Sequence, residues 1–129
     1  MDQQLIHVAI VVRDYDEAIR FYVDKLGFNL IEDTILFKTK RWVLVKPQGS
    51  ETALLLAKAA NDEQNLRVGN QTGGRVFLFL NTNDFWRDHK LYSERGVEFI
   101  REPVEESWGT VAVFRDLYGN LWDLIQSKK

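Results

Sequence analysis

The chain repeats itself, and the repeat limits its possible folds more than any other feature. Arg13-Asp14-Tyr15 recurs as Asn83-Asp84-Phe85 about seventy positions on, and Tyr22 recurs as Tyr92. Gly27 matches Gly96 after a one-residue deletion, and Gly49 matches Gly119 at the full offset. Two copies of one sequence unit call for two copies of one substructure. The active site is expected in whatever the two copies enclose.

The first copy shows what that substructure is. Residues 4–12 alternate and are rich in Ile and Val, which is the period of a strand. The alternation sends His7, Ala9 and Val11 to one face and Ile6, Val8 and Ile10 to the other. Asp14 is an expected N-cap, with Glu17 at the reciprocal place of a capping box. In the helix that follows, Ala18, Phe21, Tyr22 and Leu26 form one apolar stripe, and Gly27 ends it. Strands are expected near 28–36, 40–46 and 51–57, with the turn Pro47-Gln48-Gly49-Ser50 between the last two.

Residues 58–73 are polar and aperiodic, and read as a linker between modules holding at most one helical turn. The second copy then predicts a strand at 75–82 and a helix at about 84–95, with Phe85, His89 and Tyr92 on one stripe. Strands near 97–102, 109–115 and 121–127 complete it. Phe77 and Phe79 are expected on the open face, with Val76, Leu78 and Leu80 against the helix. Each unit is thus βαβββ, a four-stranded sheet with a helix on one face. The class is α+β: two tandem βαβββ modules, about 4–57 and 74–127, whose curved mixed sheets form a cup-shaped cavity.

Composition narrows the function classes. The net charge of −2 over 129 residues lacks the basic footprint that nucleic-acid binding requires. No apolar run approaches a membrane span, and Met1-Asp2-Gln3-Gln4 leads into a strand without a signal-peptide pattern. A cytoplasmic protein is the expectation. The absence of cysteine excludes disulfides, thiolate catalysis and zinc–sulfur sites. Asn70-Gln71-Thr72 fits a glycosylation sequon and is read as chance. There is no nucleophile elbow or phosphate-binding glycine loop.

The opening His7-Val8-Ala9-Ile10-Val11-Val12-Arg13-Asp14 and the helix text Ala18-Ile19-Arg20-Phe21-Tyr22 resemble the vicinal-oxygen-chelate superfamily. So do Leu26-Gly27-Phe28 and the closing Asp116-Leu117-Tyr118-Gly119-Asn120-Leu121-Trp122-Asp123-Leu124. That group includes glyoxalase I, bleomycin-resistance proteins and extradiol dioxygenases. The resemblance implies a metal site with one ligand from each unit's first strand and one from each unit's last strand. Carried over, these positions fall on His7, Phe77, Ala53 and Asp123. Phe77 and Ala53 cannot ligate, so only two of four positions survive, where an oxygen- and nitrogen-ligated site generally wants three. Glu51, two residues before Ala53, is the replacement that would make a set of His7, Glu51 and Asp123 for Mn, Fe, Ni, Co or Zn.

Arg75, two residues before Phe77, argues against that set, because a guanidinium near a metal repels it. Arg75 is expected instead to pair with Asp123 or Glu51, or to hold an anionic ligand. Asp123 stands among Leu121, Trp122, Leu124 and Ile125, and a carboxylate in an apolar strand needs a partner. His7 reads first as a locally hydrogen-bonded strand residue, next as a pocket wall without metal, and last as a metal ligand. Trp42 and Trp108, near the starts of equivalent strands, join Phe77 and Phe79 as core or as pocket walls.

The favoured function is a bleomycin-resistance-type protein that binds a small organic molecule without a complete metal site and needs no cofactor. Its expected ligand-binding residues are His7, Trp42, Glu51, Arg75, Phe77, Phe79, Trp108 and Asp123. One alternative is a divalent-metal-dependent lyase, isomerase or dioxygenase. Another is a dimeric non-catalytic module. The resemblance also implies a homodimer.

Overall fold

A computed structural model describes residues 1–128. The chain divides into two compact units, Met1–Val68 and Gly69 onward. Each carries a four-stranded mixed sheet and a helix on one of its faces.

The first unit runs β1 (His7–Val12), α1 (Tyr15–Arg20), β2 (Asn29–Phe37), β3 (Lys40–Lys46), β4 (Ala53–Lys58) and a single turn α2 (Asp62–Asn65). The sheet order is β1-β4-β3-β2, with β1 parallel to β4 and the other pairs antiparallel. Asp14 caps α1 as expected, its carboxylate accepting the Glu17 N–H at 2.9 Å. The Glu17 side chain meets Arg13 at 3.0 Å. Ala18, Phe21, Tyr22 and Leu26 are all buried, as are Ile10, Val12, Val43, Val45, Leu54 and Leu56. Burying each such aliphatic side chain is worth about 1.5–3 kcal/mol, which is what holds helix to sheet.

Two details depart from the sequence reading. β1 begins at His7, and Ile6 lies before the strand, 64% exposed. The helix does not stay α-helical. Phe21–Lys25 is a π-helical segment, a widening of the last turns that still delivers Tyr22 and Leu26 to the core. Gly27 then ends it with φ +77, a conformation that suits glycine.

The second unit runs β5 (Val76–Asn81), α3 (Phe85–Glu94), β6 (Phe99–Glu106), β7 (Gly109–Arg115) and β8 (Leu121–Ser127), in the order β5-β8-β7-β6. Asp84 caps α3 by accepting the Arg87 N–H. The core here is aromatic. Phe114 stacks on Trp122 at 5.7 Å and meets Tyr92 and Phe99 edge-on. His89 completes the layer against Phe85 and Phe99, so it packs as expected.

Asp116 ties the β7–β8 turn together. Its carboxylate accepts the backbone N–H groups of Tyr118, Gly119 and Asn120, the Asn120 amide and the Trp122 indole N–H. The polar stretch expected as a linker is shared between units. Lys58 closes β4, whereas Gln71 donates its backbone N–H to the Asn120 side chain.

The second sheet's register differs from the repeat. Val76 pairs with Leu121 but Leu78 pairs with Trp122, so Phe77 is an extra, unpaired residue in β5. That irregularity turns Val76 onto the helix-free face, where it lines a cavity with Asp123, rather than against α3. In this register Phe79 lies opposite Asp123, where the sequence offset alone would have put Phe77.

Candidate functional site

In the first unit, the helix-free face collects His7, Trp42, Leu55 and Ala57. His7 lies opposite Ala53 at the start of β1 and β4. Its ring nitrogen Nδ1 is 2.8 Å from the Ile6 carbonyl oxygen, and its ring meets Trp42 edge-on at 5.9 Å. Trp42 in turn lines a cavity of about 580 Å³ with Tyr15, Lys40, Arg41, Leu55 and Lys58. That volume lies within the roughly 300–1,000 Å³ usual for small-molecule sites.

Arg41 makes the rigid wall of this cavity. Its guanidinium grips Asp33 on β2 at 2.7 and 3.1 Å and Asp16 on α1 at 3.0 Å, and lies over the Tyr15 ring at 5.1 Å. The Asp33 hydrogen bonds hold its pKa above the ordinary arginine value, against burial, with Asp16 adding to the effect. The Tyr15 hydroxyl accepts the Arg41 backbone N–H at 3.2 Å. Sequence reasoning missed Tyr15 and Arg41. Their signal was the one arginine in β3 flanked by a helix and a strand that each carry an aspartate.

In the second unit the helix-free face carries one row across all four strands: Phe79, Asp123, Val113 and Arg101. Val76, Arg101, Trp108 and Asp123 line a smaller cavity of about 160 Å³. Asp123 Oδ1 is buried with no hydrogen-bond partner among the described residues. Burial raises the Asp123 pKa, and the charge of Arg101 acts in the opposite direction. The cation near Asp123 is therefore Arg101. Arg75, expected in that role, lines a separate cavity with Arg115 and Asn120. The irregularity at Phe77 is the reason, since it breaks the alternation that placed Arg75 on the same face.

The remaining expected residues are placed as follows. Phe79 is 65% exposed and Trp108, just before β7, is 51% exposed. Phe77 is half-buried. Glu51 lies on an exposed bend before β4, outside the strand and outside these cavities. His7 and Glu51 belong to the first unit and Asp123 to the second. Among the described residues no group of three or more His, Asp or Glu side chains is arranged to hold a metal ion. The donors do not fit the metal site that the fold implies: Ala53 faces His7, and Phe79 faces Asp123.

Paired βαβββ units, each with an open sheet face bearing aromatic side chains, define a class of ligand-binding domain. The chain belongs to the Glyoxalase/Bleomycin resistance protein/Dioxygenase superfamily, whose family model matches residues 4–124. An uncharacterized protein of Shewanella frigidimarina (strain NCIMB 400) is 60% identical over 128 residues, covering 98% of this chain and 95% of its own. The crystal structure of UcmS2 superposes with a TM-score of 0.84 at 32% identity, covering 97% of this chain and 98% of that one. TnmS3, an antibiotic binding protein from Streptomyces sp. CB03234, superposes with a TM-score of 0.79 at 30% identity, covering 98% of both chains. No helix among the described residues is long and apolar enough to cross a membrane.

Proposed function

We propose that this protein binds a small aromatic organic molecule in the cavity beside Trp42 and releases it chemically unchanged. The observation that carries this reading is the first unit's cavity, of ligand size, with Trp42 on its wall and aliphatic Leu55 and Ala57 among its lining. A concave cavity that joins aromatic and aliphatic walls to polar groups is the usual form of a small-molecule site. The likeness to an antibiotic binding protein supports it. In the second unit, Asp123 and Arg101 line a separate cavity, where they would orient polar groups of a ligand bound there, in the role expected of Asp123 and Arg75. A lyase or dioxygenase reading would need a metal held by three side chains, which the donor positions do not favour.

Thermal-shift and calorimetric titration of metal-stripped protein with a panel of flat polycyclic aromatic compounds tests this. Stabilisation by at least one compound, weakened about tenfold by Trp42→Ala, is expected; stacking lost with a buried aromatic is worth roughly 1 kcal/mol or more. A panel without any stabiliser would overturn the reading.

The assembly we propose is a homodimer. All nine residues of edge strand β2 are exposed, among them Leu30, Ile31, Ile35, Leu36 and Phe37. Exposed apolar side chains on that scale mark an interaction surface. A second copy is the occupant that family members of this size suggest.

A further inference from the structure

We infer that the first unit's cavity selects an aromatic ligand carrying a negative charge, such as a carboxylate or phenolate. The inference rests on the binding reading above and adds the charge of the ligand to it. Three cationic side chains line the cavity, Lys40, Arg41 and Lys58, and no acidic side chain does. Arg41 is already neutralised, held between Asp33 and Asp16. Lys40 and Lys58 make no ion pair among the described residues, so their ammonium groups carry the cavity's uncompensated charge.

Their positions suit the task. Lys40 opens β3 and Lys58 closes β4, so the two cations come from different strands, with Trp42 and Leu55 lining the same space. Both lysines are exposed, so each keeps its hydration until a ligand arrives. Lysine is a mobile point charge on a flexible stem, which suits an anion whose position varies among related compounds. The Arg41 network fixes the wall while the lysines remain free to adjust. The second unit's cavity does not share this character, because Asp123 stands in it. An exposed ion pair contributes a few-fold in affinity, so two ammonium groups together predict a preference of about tenfold for an anion over its neutral analogue. That preference must fall with added salt.

The test is calorimetric titration of the intact protein with three probes of one shape: 2-naphthoate, 2-naphthalenemethanol and 2-naphthylmethylammonium. The wild type should bind the naphthoate about tenfold more tightly than the alcohol at low salt, and the ammonium compound least. In the Lys40→Gln/Lys58→Gln double variant the ratio of naphthoate to alcohol affinity should fall from about ten to about one. Equal binding of the alcohol and the naphthoate, or a preference for the ammonium compound, overturns the charge assignment and leaves the aromatic-binding reading standing. A naphthoate preference that survives the double substitution also overturns it. Failure of all three probes to bind overturns both.

Discussion

Arg101 and Asp123 stand in one row on the second sheet, separated by Val113, and share a cavity without forming an ion pair. Next-nearest strands lie roughly 9–10 Å apart, too far for the two side chains to meet without bending toward each other. Arg101 therefore tempers the burial of the carboxylate without cancelling it.

This arrangement makes stability depend on pH. The native Asp123 carboxyl has a raised pKa, so it holds its proton more tightly than in the unfolded chain. Its contribution favours folding below the unfolded pKa and is lost as pH rises through the native value. Asp123→Asn should therefore raise Tm at pH 7, on the order of 1–3 °C. The difference should shrink as pH is lowered toward about 3. Thermal melts of both proteins across pH 3–8 measure it, and a constant or growing gap at low pH contradicts the assignment.

Asp116 is a buried carboxylate whose oxygens receive five N–H donors. Asp116→Ala strips those donors of their acceptor and should cost about 3 kcal/mol or more. Asp116→Asn keeps one oxygen and should cost less. Urea denaturation gives both values, and a loss below about 1 kcal/mol for the alanine variant would show that the turn repairs itself.

On the first sheet, Ile35 and Phe37 are 73% and 67% exposed on β2. If this strand carries the dimer contact, Ile35→Lys should produce a monomer with an intact fold, seen by sedimentation and circular dichroism. A wild type that sediments as a monomer at all concentrations would remove the dimer from the account.

The repeat was legible because its strongest marks are local. Asp14 and Asp84 cap helices, Gly27 ends one, and the stripes Ala18-Phe21-Tyr22-Leu26 and Phe85-His89-Tyr92 follow helical periodicity. Asp123 was visible as a carboxylate in an apolar strand. Its cation was not visible. Arg101 reaches the row through irregular pairing on both sides of itself in β6, and Arg75 leaves it through the unpaired Phe77. Such slips depend on how strands pair, and period-two reading along one strand does not contain them. Arg41 was hidden for the same reason, since its partners Asp16 and Asp33 come from two other elements.

The proposed function is binding of an aromatic molecule without its transformation. The most direct measurement incubates metal-stripped protein with the tightest binder from the aromatic panel, titrates the complex calorimetrically, then recovers the ligand for mass spectrometry. The account predicts saturable binding, weakened by Trp42→Ala, and a recovered ligand of unchanged mass. No saturable binding, or a ligand converted with turnover, would contradict it.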